Sequence, residues 1–147
     1  MVFIWHFTDS DVDALRTNQF PDMTNADILN LIHDWGSFSY QGKFFEMFAV
    51  LSGETIVGSA SLYQHSQSVA SLGVEIYESF RRSGFAYEAI LLLLEHAKQL
   101  GYKIIQDQVR TDNNASILLH EKLLFETDQY IYRNKKDQPC YLFLKAL

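Results

Sequence analysis

The sequence predicts one α/β (α+β) domain whose centre is a mixed, mostly antiparallel sheet flanked by helices. Three apolar runs of strand length, separated by short polar turns, stand at 44–51, 55–63 and 69–77. Residues 87–100 form an apolar run with helical spacing that ends at Gly101. The next strand, at 102–110, is expected to be parallel to the strand before the helix, because a helix makes the crossover.

Composition restricts the class of protein. The chain has 147 residues, of which 48% are hydrophobic and 20% charged, so it is long and apolar enough for one folded domain. Its net charge of −6 and its lack of a basic stripe argue against a nucleic-acid partner. The same acidic balance favours the attraction of a cationic amine.

The sequence lacks the signals of a membrane or metal protein. The longest apolar run, Ala89–Leu94, is too short to cross a bilayer, and we expect no signal peptide. Cys140 is alone, which excludes an internal disulfide, and the five histidines show no metal-ligand spacing. We therefore expect a cytoplasmic protein with no membrane partner and no metal.

One strand and two helices come before the central strands. Residues 2–7 are apolar and aromatic, as is typical of a strand. A short helix is expected at 10–15, after acidic and hydroxyl residues that favour a helix start. Thr24 and Asp27 form a variant of the capping box before a second helix, which ends at Gly36.

The central strand and helix each have one predicted buried face. Leu72, Val74 and Ile76 alternate with small or polar residues, which is the period of a half-buried strand. The apolar positions that step by three and four along the helix are Ala86, Ile90, Leu93, Ala97 and Leu100. This face is widened by Leu91, Leu92 and Leu94. The helix is therefore expected to be covered on most sides.

The last third of the chain adds one helix and one hairpin. Asp112 or Asn113 is expected to cap the helix, and the hairpin is expected to pair residues 127–133 with 139–144. The predicted element order is therefore β-α-α-β-β-β-α-β-α-β-β.

The turn after the strand at 69–77 is where chemistry is expected. A strand that runs into a helix through a short loop aims free backbone N–H groups at one point, where the helix dipole adds partial positive charge. Gly84 and Ala86 leave room there for an anion, and Arg81 and Arg82 add full charge. The turn therefore predicts a phosphate site, although the same residues fit an ordinary turn with two solvated arginines.

Two motifs give this region a family resemblance. Arg81-x-x-Gly84-x-Ala86 resembles the Gln/Arg-x-x-Gly-x-Gly/Ala loop of the GNAT superfamily of acetyl-CoA-dependent N-acetyltransferases. Further along, residues 113–125 resemble that superfamily's next element, an Asn-x-x-Ser/Ala helix that ends in Glu-Lys-Leu-Gly-Phe. The resemblance implies a GNAT-like sheet with a V-shaped split.

The resemblance also implies acetyl-CoA as a cosubstrate and assigns residues to it. Backbone groups near Val74 and Ile76 would hold the pantetheine arm and polarise the thioester carbonyl. Asn113 and Ser116 would contact the arm from the opposite side. The pyrophosphate would lie against Arg81, Arg82, Ser83, Gly84, Phe85, Ala86 and Tyr87.

The proton-transfer positions depart from the superfamily's pattern. His120 stands where many members have a tyrosine that protonates the leaving thiolate, and Gln108 stands where some have a glutamate base. Leu124 replaces the usual glycine. Three routes stay open: His120 acts as acid or base, Glu75 holds or deprotonates the amine, or protons pass to water. Asp107 is a further candidate.

The expected function is acetyl transfer from acetyl-CoA to a primary amine of a small molecule or a protein N-terminus, by direct attack in a ternary complex. The Asn-x-x-Ser helix start resembles the branch that acetylates ribosomal-protein N-termini, polyamines or antibiotic amines. Acceptor specificity is expected in Asp9–Tyr40 and the final hairpin, and a homodimer is a further expectation. Two other hypotheses stay open: a non-catalytic acyl-CoA-binding or sensing module, and a structural interaction domain that binds no CoA.

Overall fold

An eight-stranded sheet with helices on both faces organises the computed structural model, which describes all 147 residues. The strands are β1 (Phe3–His6), β2 (Ser39–Tyr40), β3 (Lys43–Ser52), β4 (Thr55–Gln64), β5 (Val69–Ile76), β6 (Ile104–Arg110), β7 (Tyr132–Arg133) and β8 (Pro139–Ala146). The helices are α1 (Val12–Asn18), α2 (Asn25–Trp35), α3 (Phe85–Gln99) and α4 (Asn114–Lys122). Short 3-10 turns lie at Asp9–Asp11 and Glu78–Phe80.

The sheet is mixed and mostly antiparallel, which confirms the predicted fold class. Its strand order is β1-β3-β4-β5-β6-β8-β7, and β2 pairs with β3. Strands β5 and β6 are parallel, and they pair at two positions, Val69 with Ile104 and Ala70 with Ile105. Beyond Ala70 the two strands no longer pair, so the sheet splits there. This is the opening that the family resemblance implies.

Apolar side chains pack on both faces of the sheet. The larger cluster joins α3 to the central strands and includes Leu62, Leu93 and Phe143. A smaller cluster, which includes Leu15 and Ile28, joins α1 and α2 to β3. Burial within the larger cluster holds β5 and α3 against each other. The turn between them is therefore held in one place.

Helix α3 is buried along one face only, so the prediction that it is covered on most sides was wrong. Ile90, Leu93 and Ala97 are buried, whereas Leu91 and Leu92 are 44% and 38% exposed. At 3.6 residues per turn, these two leucines point away from the face that packs on β4 and β5. Apolar residue type alone overstated the buried width of this helix.

The final hairpin is shorter than predicted. The sequence predicts a strand at 127–133, but only Tyr132–Arg133 forms β7 beside β8. Just before β7, the Asp128 carboxylate accepts a hydrogen bond from the Tyr130 N–H. Local side-chain turns of this kind occupy N–H groups that a strand ladder would need. The other two-residue strand, β2, pairs with the start of β3 through Ser39 and Tyr40.

Helices α3 and α4 end in the same turn but with different residues in its left-handed position. Both turns have the paired backbone hydrogen bonds of a Schellman motif. The left-handed residue is Gly101 after α3, with φ 99°, and Leu124 after α4, with φ 64°. Leu124 is 77% exposed, so it gains little from packing while its Cβ strains the backbone.

Replacing Leu124 by glycine is expected to stabilise the protein by about 1 kcal/mol, because the strain at positive φ disappears. The reciprocal change, Gly101→Ala, is expected to destabilise it by a similar amount. A Cβ at Gly101 would meet no atom within 4 Å, so that change acts through backbone conformation alone. Urea unfolding measures both effects. A Leu124→Gly variant that is less stable than the wild type would contradict the strain argument.

Candidate active site

A side chain stands at the narrow end of the split between β5 and β6. The Asp107 carboxylate on β6 accepts a hydrogen bond from the Leu72 N–H on β5, with N and Oδ1 2.8 Å apart. Backbone groups alternate sides along a strand, so the N–H and C=O of Val74 and Ile76 face the same opening. The Ile76 carbonyl accepts a bond from Arg81 Nε at 2.9 Å. The peptide groups of Val74 are left for a ligand that lies along β5.

A cleft of about 770 Å³ opens between β5, the following loop and α4. Of the residues that the sequence assigns to acetyl-CoA, all except Ser83 line it: Val74, Ile76, Arg81, Arg82, Gly84, Phe85, Ala86, Tyr87, Asn113 and Ser116. Glu75, a candidate for amine binding, also lines the cleft. The lining residues that the sequence did not single out are Phe80, Ala115, Leu118, Leu119 and Lys122.

The loop before α3 has the backbone geometry of an anion site. Arg82 and Gly84 have positive φ values of 65° and 79°, which turn successive N–H groups toward one side. Gly84 is the N-cap of α3, whose first-turn N–H groups have no partner within the helix. A Cβ on Gly84 would meet no atom within 4 Å, so the space in front of it is open. These features fit a pyrophosphate.

Three cationic side chains line the cleft of this acidic chain. Two are Arg81 and Arg82 from the loop, and the third is Lys122 from the end of α4. The Lys122 ammonium lies 4.4 Å from the centre of the Tyr87 ring. At 3.6 residues per turn Lys122 lies about 120° around α4 from Ser116, so the helix pattern of Asn113 and Ser116 did not mark it as a cleft residue.

His120 lies behind the cleft and does not line it. Its Nε2 is 2.8 Å from Asp107 Oδ2, and its Nδ1 is 2.7 Å from the Ser116 carbonyl oxygen. The ring packs against Phe125 and Phe143 in the core. His120 therefore ties α4 to β6 at the level of the split.

These contacts favour the charged form of His120. Burial lowers the pKa of His120, but the hydrogen bonds to the Asp107 carboxylate and the Ser116 carbonyl outweigh burial and raise the pKa above its ordinary 6.5. Both ring nitrogens then donate. The Ser116 hydroxyl lies 3.4 Å from His120 Nδ1, and Ser116 lines the cleft. Ser116 thus links the imidazole to the cleft surface.

The structure shows neither a membrane-crossing helix nor a metal-binding cluster. No helix combines the length and the apolar character that crossing a bilayer requires. No three His, Cys, Asp or Glu side chains converge in a way that would hold a metal ion.

Sequence comparison relates the chain to acetyltransferases. The profile of the acetyltransferase (GNAT) domain matches residues 2–126. YokL, an SPbeta prophage-derived uncharacterized N-acetyltransferase of Bacillus subtilis (strain 168), is 32% identical over 99 residues, which are 65% of this chain. The alignment covers 56% of YokL, so this chain spans little more than half of that relative's length.

Solved structures share the fold. The ribosomal L7/L12 α-N-protein acetyltransferase RimL, in complex with CoA, matches with a TM-score of 0.84 at 14% identity, covering 99% of this chain and 94% of RimL. Mutant forms of the spermidine/spermine N-acetyltransferase SpeG from Vibrio cholerae match with a TM-score of 0.78 at 14% identity, covering 99% and 95%. Because the family profile matches residues 2–126, most of the sequence, this chain belongs to the GNAT acetyltransferase family.

Proposed function

We propose that this chain transfers an acetyl group from acetyl-CoA to a primary amine, which attacks directly within a ternary complex. The observation that carries the proposal is the cleft, where an unpaired edge of β5 runs into a loop with two positive-φ residues at the start of α3. That combination suits an extended ligand with a pyrophosphate at one end. The names of YokL, RimL and SpeG support an amine as acceptor.

Different residues of the cleft bind different parts of acetyl-CoA. Acetyl-CoA supplies the acetyl group as a thioester. Backbone N–H groups of residues 82–87 and the side chains of Arg82 and Lys122 bind its phosphates. The peptide groups of Val74 bond the extended arm as an added strand would. The Val74 N–H is also the donor that stabilises the carbonyl oxygen as it gains negative charge.

The leaving group needs little acid catalysis from the protein, because a thiol of pKa roughly 8.5 leaves readily as a thiolate. Glu75 is exposed and lines the cleft. We therefore assign Glu75 two roles, which are to bind the amine and to accept its proton, either directly or through water. We assign His120 a positioning role, since it holds Asp107 and α4 and meets the cleft only through Ser116.

A second candidate is an acyl-CoA-binding or sensing module without turnover. Two observations favour it: His120 is buried behind the cleft, and Gln108, at the position of a family base, cannot take up a proton. Both candidates bind CoA. Thiol release in the presence of an amine therefore separates them.

Replacing Gly84 by glutamate is expected to weaken acetyl-CoA binding by about tenfold or more, because the side chain fills the open space and repels the pyrophosphate. Gly53→Glu is the matched control. Gly53 also has positive φ and an open surrounding, but it lies in the β3–β4 turn outside the cleft. Calorimetric titration measures both. Equal affinities for the two variants would refute the loop assignment.

Replacing His120 by glutamine is expected to remove a pH-dependent part of the stability. The raised pKa means that the wild type has this extra stability in full below about pH 6.5 and loses it as the pH rises through the folded-state pKa. Urea unfolding from about pH 6 to pH 9 measures the free energy of unfolding. The control His33→Gln removes an exposed histidine paired with Asp9 and is expected to keep the wild-type pH dependence. Parallel curves for wild type and His120→Gln would refute the charged pair.

A further inference from the structure

A second cavity, of about 500 Å³, lies at the narrow end of the split. Its volume suits a small molecule or a short segment of a peptide. Nine of its ten lining residues are polar, among them Gln106, Asp107, Gln108, Lys135 and Lys136. None of these residues lines the acetyl-CoA cleft.

The two cavities lie next to each other along β5. The acetyl-CoA cleft begins at Val74, and the second cavity ends at Leu72, so one residue, Gly73, separates them. Leu72 and Val74 are two residues apart, which is about 6.6 Å along a strand. A group attached at Val74 in the cleft is therefore within reach of a group in the second cavity, which is what direct transfer requires.

The charge of the second cavity is opposite to that of the whole chain. Lys135 and Lys136 supply two cations. Asp107 is the one carboxylate in the lining, and both of its oxygens are already bonded, one to the Leu72 N–H and the other to His120. A polycation would find no free carboxylate there, whereas an anion would find two ammonium groups and several amide donors.

The turn that carries the two lysines is internally braced. The Asn134 side-chain oxygen accepts hydrogen bonds from the N–H groups of Lys136 and Gln138, at 3.0 and 2.9 Å. Arg133 donates to the Asp137 carbonyl at 2.9 Å, and its guanidinium also lies beside the Asp137 carboxylate. The single acidic side chain of the turn is thus paired within the turn and does not line the cavity.

We propose that the second cavity binds the acceptor and that the acceptor is a primary amine that also carries a carboxylate. This inference rests on the proposed acetyl transfer. The lysines hold the carboxylate and leave the amine to attack the thioester carbon from the Gly73 side. A C–N bond forms, the C–S bond breaks, the amine proton passes to Glu75 or water, and the sulfur leaves as thiolate.

The test compares three amines in a thiol-release assay with acetyl-CoA: glutamate, the dipeptide Asp-Glu and spermidine. We expect glutamate and Asp-Glu to have a higher kcat/KM than spermidine. Whichever of the two has the higher kcat/KM then indicates whether the carboxylate belongs to a free amino acid or to a peptide. The double variant Lys135→Glu/Lys136→Glu is expected to lower that kcat/KM by about tenfold or more, with the KM for acetyl-CoA unchanged.

The matched control is Lys98→Glu/Lys103→Glu, which changes the net charge equally but alters exposed lysines that line neither cavity. We expect it to behave as the wild type. A preference for spermidine, or equal kcat/KM for the two double variants, would overturn the proposal.

A second readout does not depend on turnover. Calorimetry measures binding of N-acetylglutamate and N-acetyl-Asp-Glu to the CoA-saturated protein. The anion site is supported if either product binds the wild type and the control but not Lys135→Glu/Lys136→Glu. This conclusion holds even if no amine is acetylated and the proposed function fails. If neither product binds, or if both double variants bind alike, the anion site is refuted even where acetyl transfer is observed.

Discussion

One hydrogen bond, from the Leu72 N–H to the Asp107 carboxylate, stands where the pairing of β5 with β6 ends. A parallel pair that continued beyond Ala70 would join β5 to β6 along their length and leave no cleft. Asp107 takes the N–H that the next ladder bond would use, and His120 holds the other carboxylate oxygen from α4. The free edge of β5, the proposed acetyl-CoA cleft and the second cavity all lie beside this arrangement.

Left-handed backbone has two different uses in this chain. In the loop before α3, Arg82 and Gly84 adopt it where N–H groups would converge on the proposed anion. Arg81 supports that loop by bonding the end of β5, so the strained conformation is held by its surroundings. After α4, Leu124 adopts the same region only to end a helix. The first conformation serves the proposed site, and the second is strain without a ligand.

The features that could be predicted from the sequence are those that depend on local residue patterns. Strand alternation, the glycine-ended α3 and the loop from Arg81 to Tyr87 are short-range features, and the structure has them where they were expected. The exposure of Leu91 and Leu92 depends on which elements pack on α3, which residue type does not encode. The same limit applies to His120, because its partner Asp107 lies on another element. The second cavity brings together turns that are distant in the chain, so no local motif marks it.

The most direct test of this account is a crystal structure of the protein with CoA. We predict the pyrophosphate against the N–H groups of residues 82–87, the pantetheine arm along Val74, and the sulfur beside Gly73 between the two cavities. We also predict that the hydrogen bond between the Leu72 N–H and the Asp107 carboxylate stays in place. CoA bound elsewhere, or β5 and β6 paired beyond Ala70 with no ligand between them, would refute the proposed site.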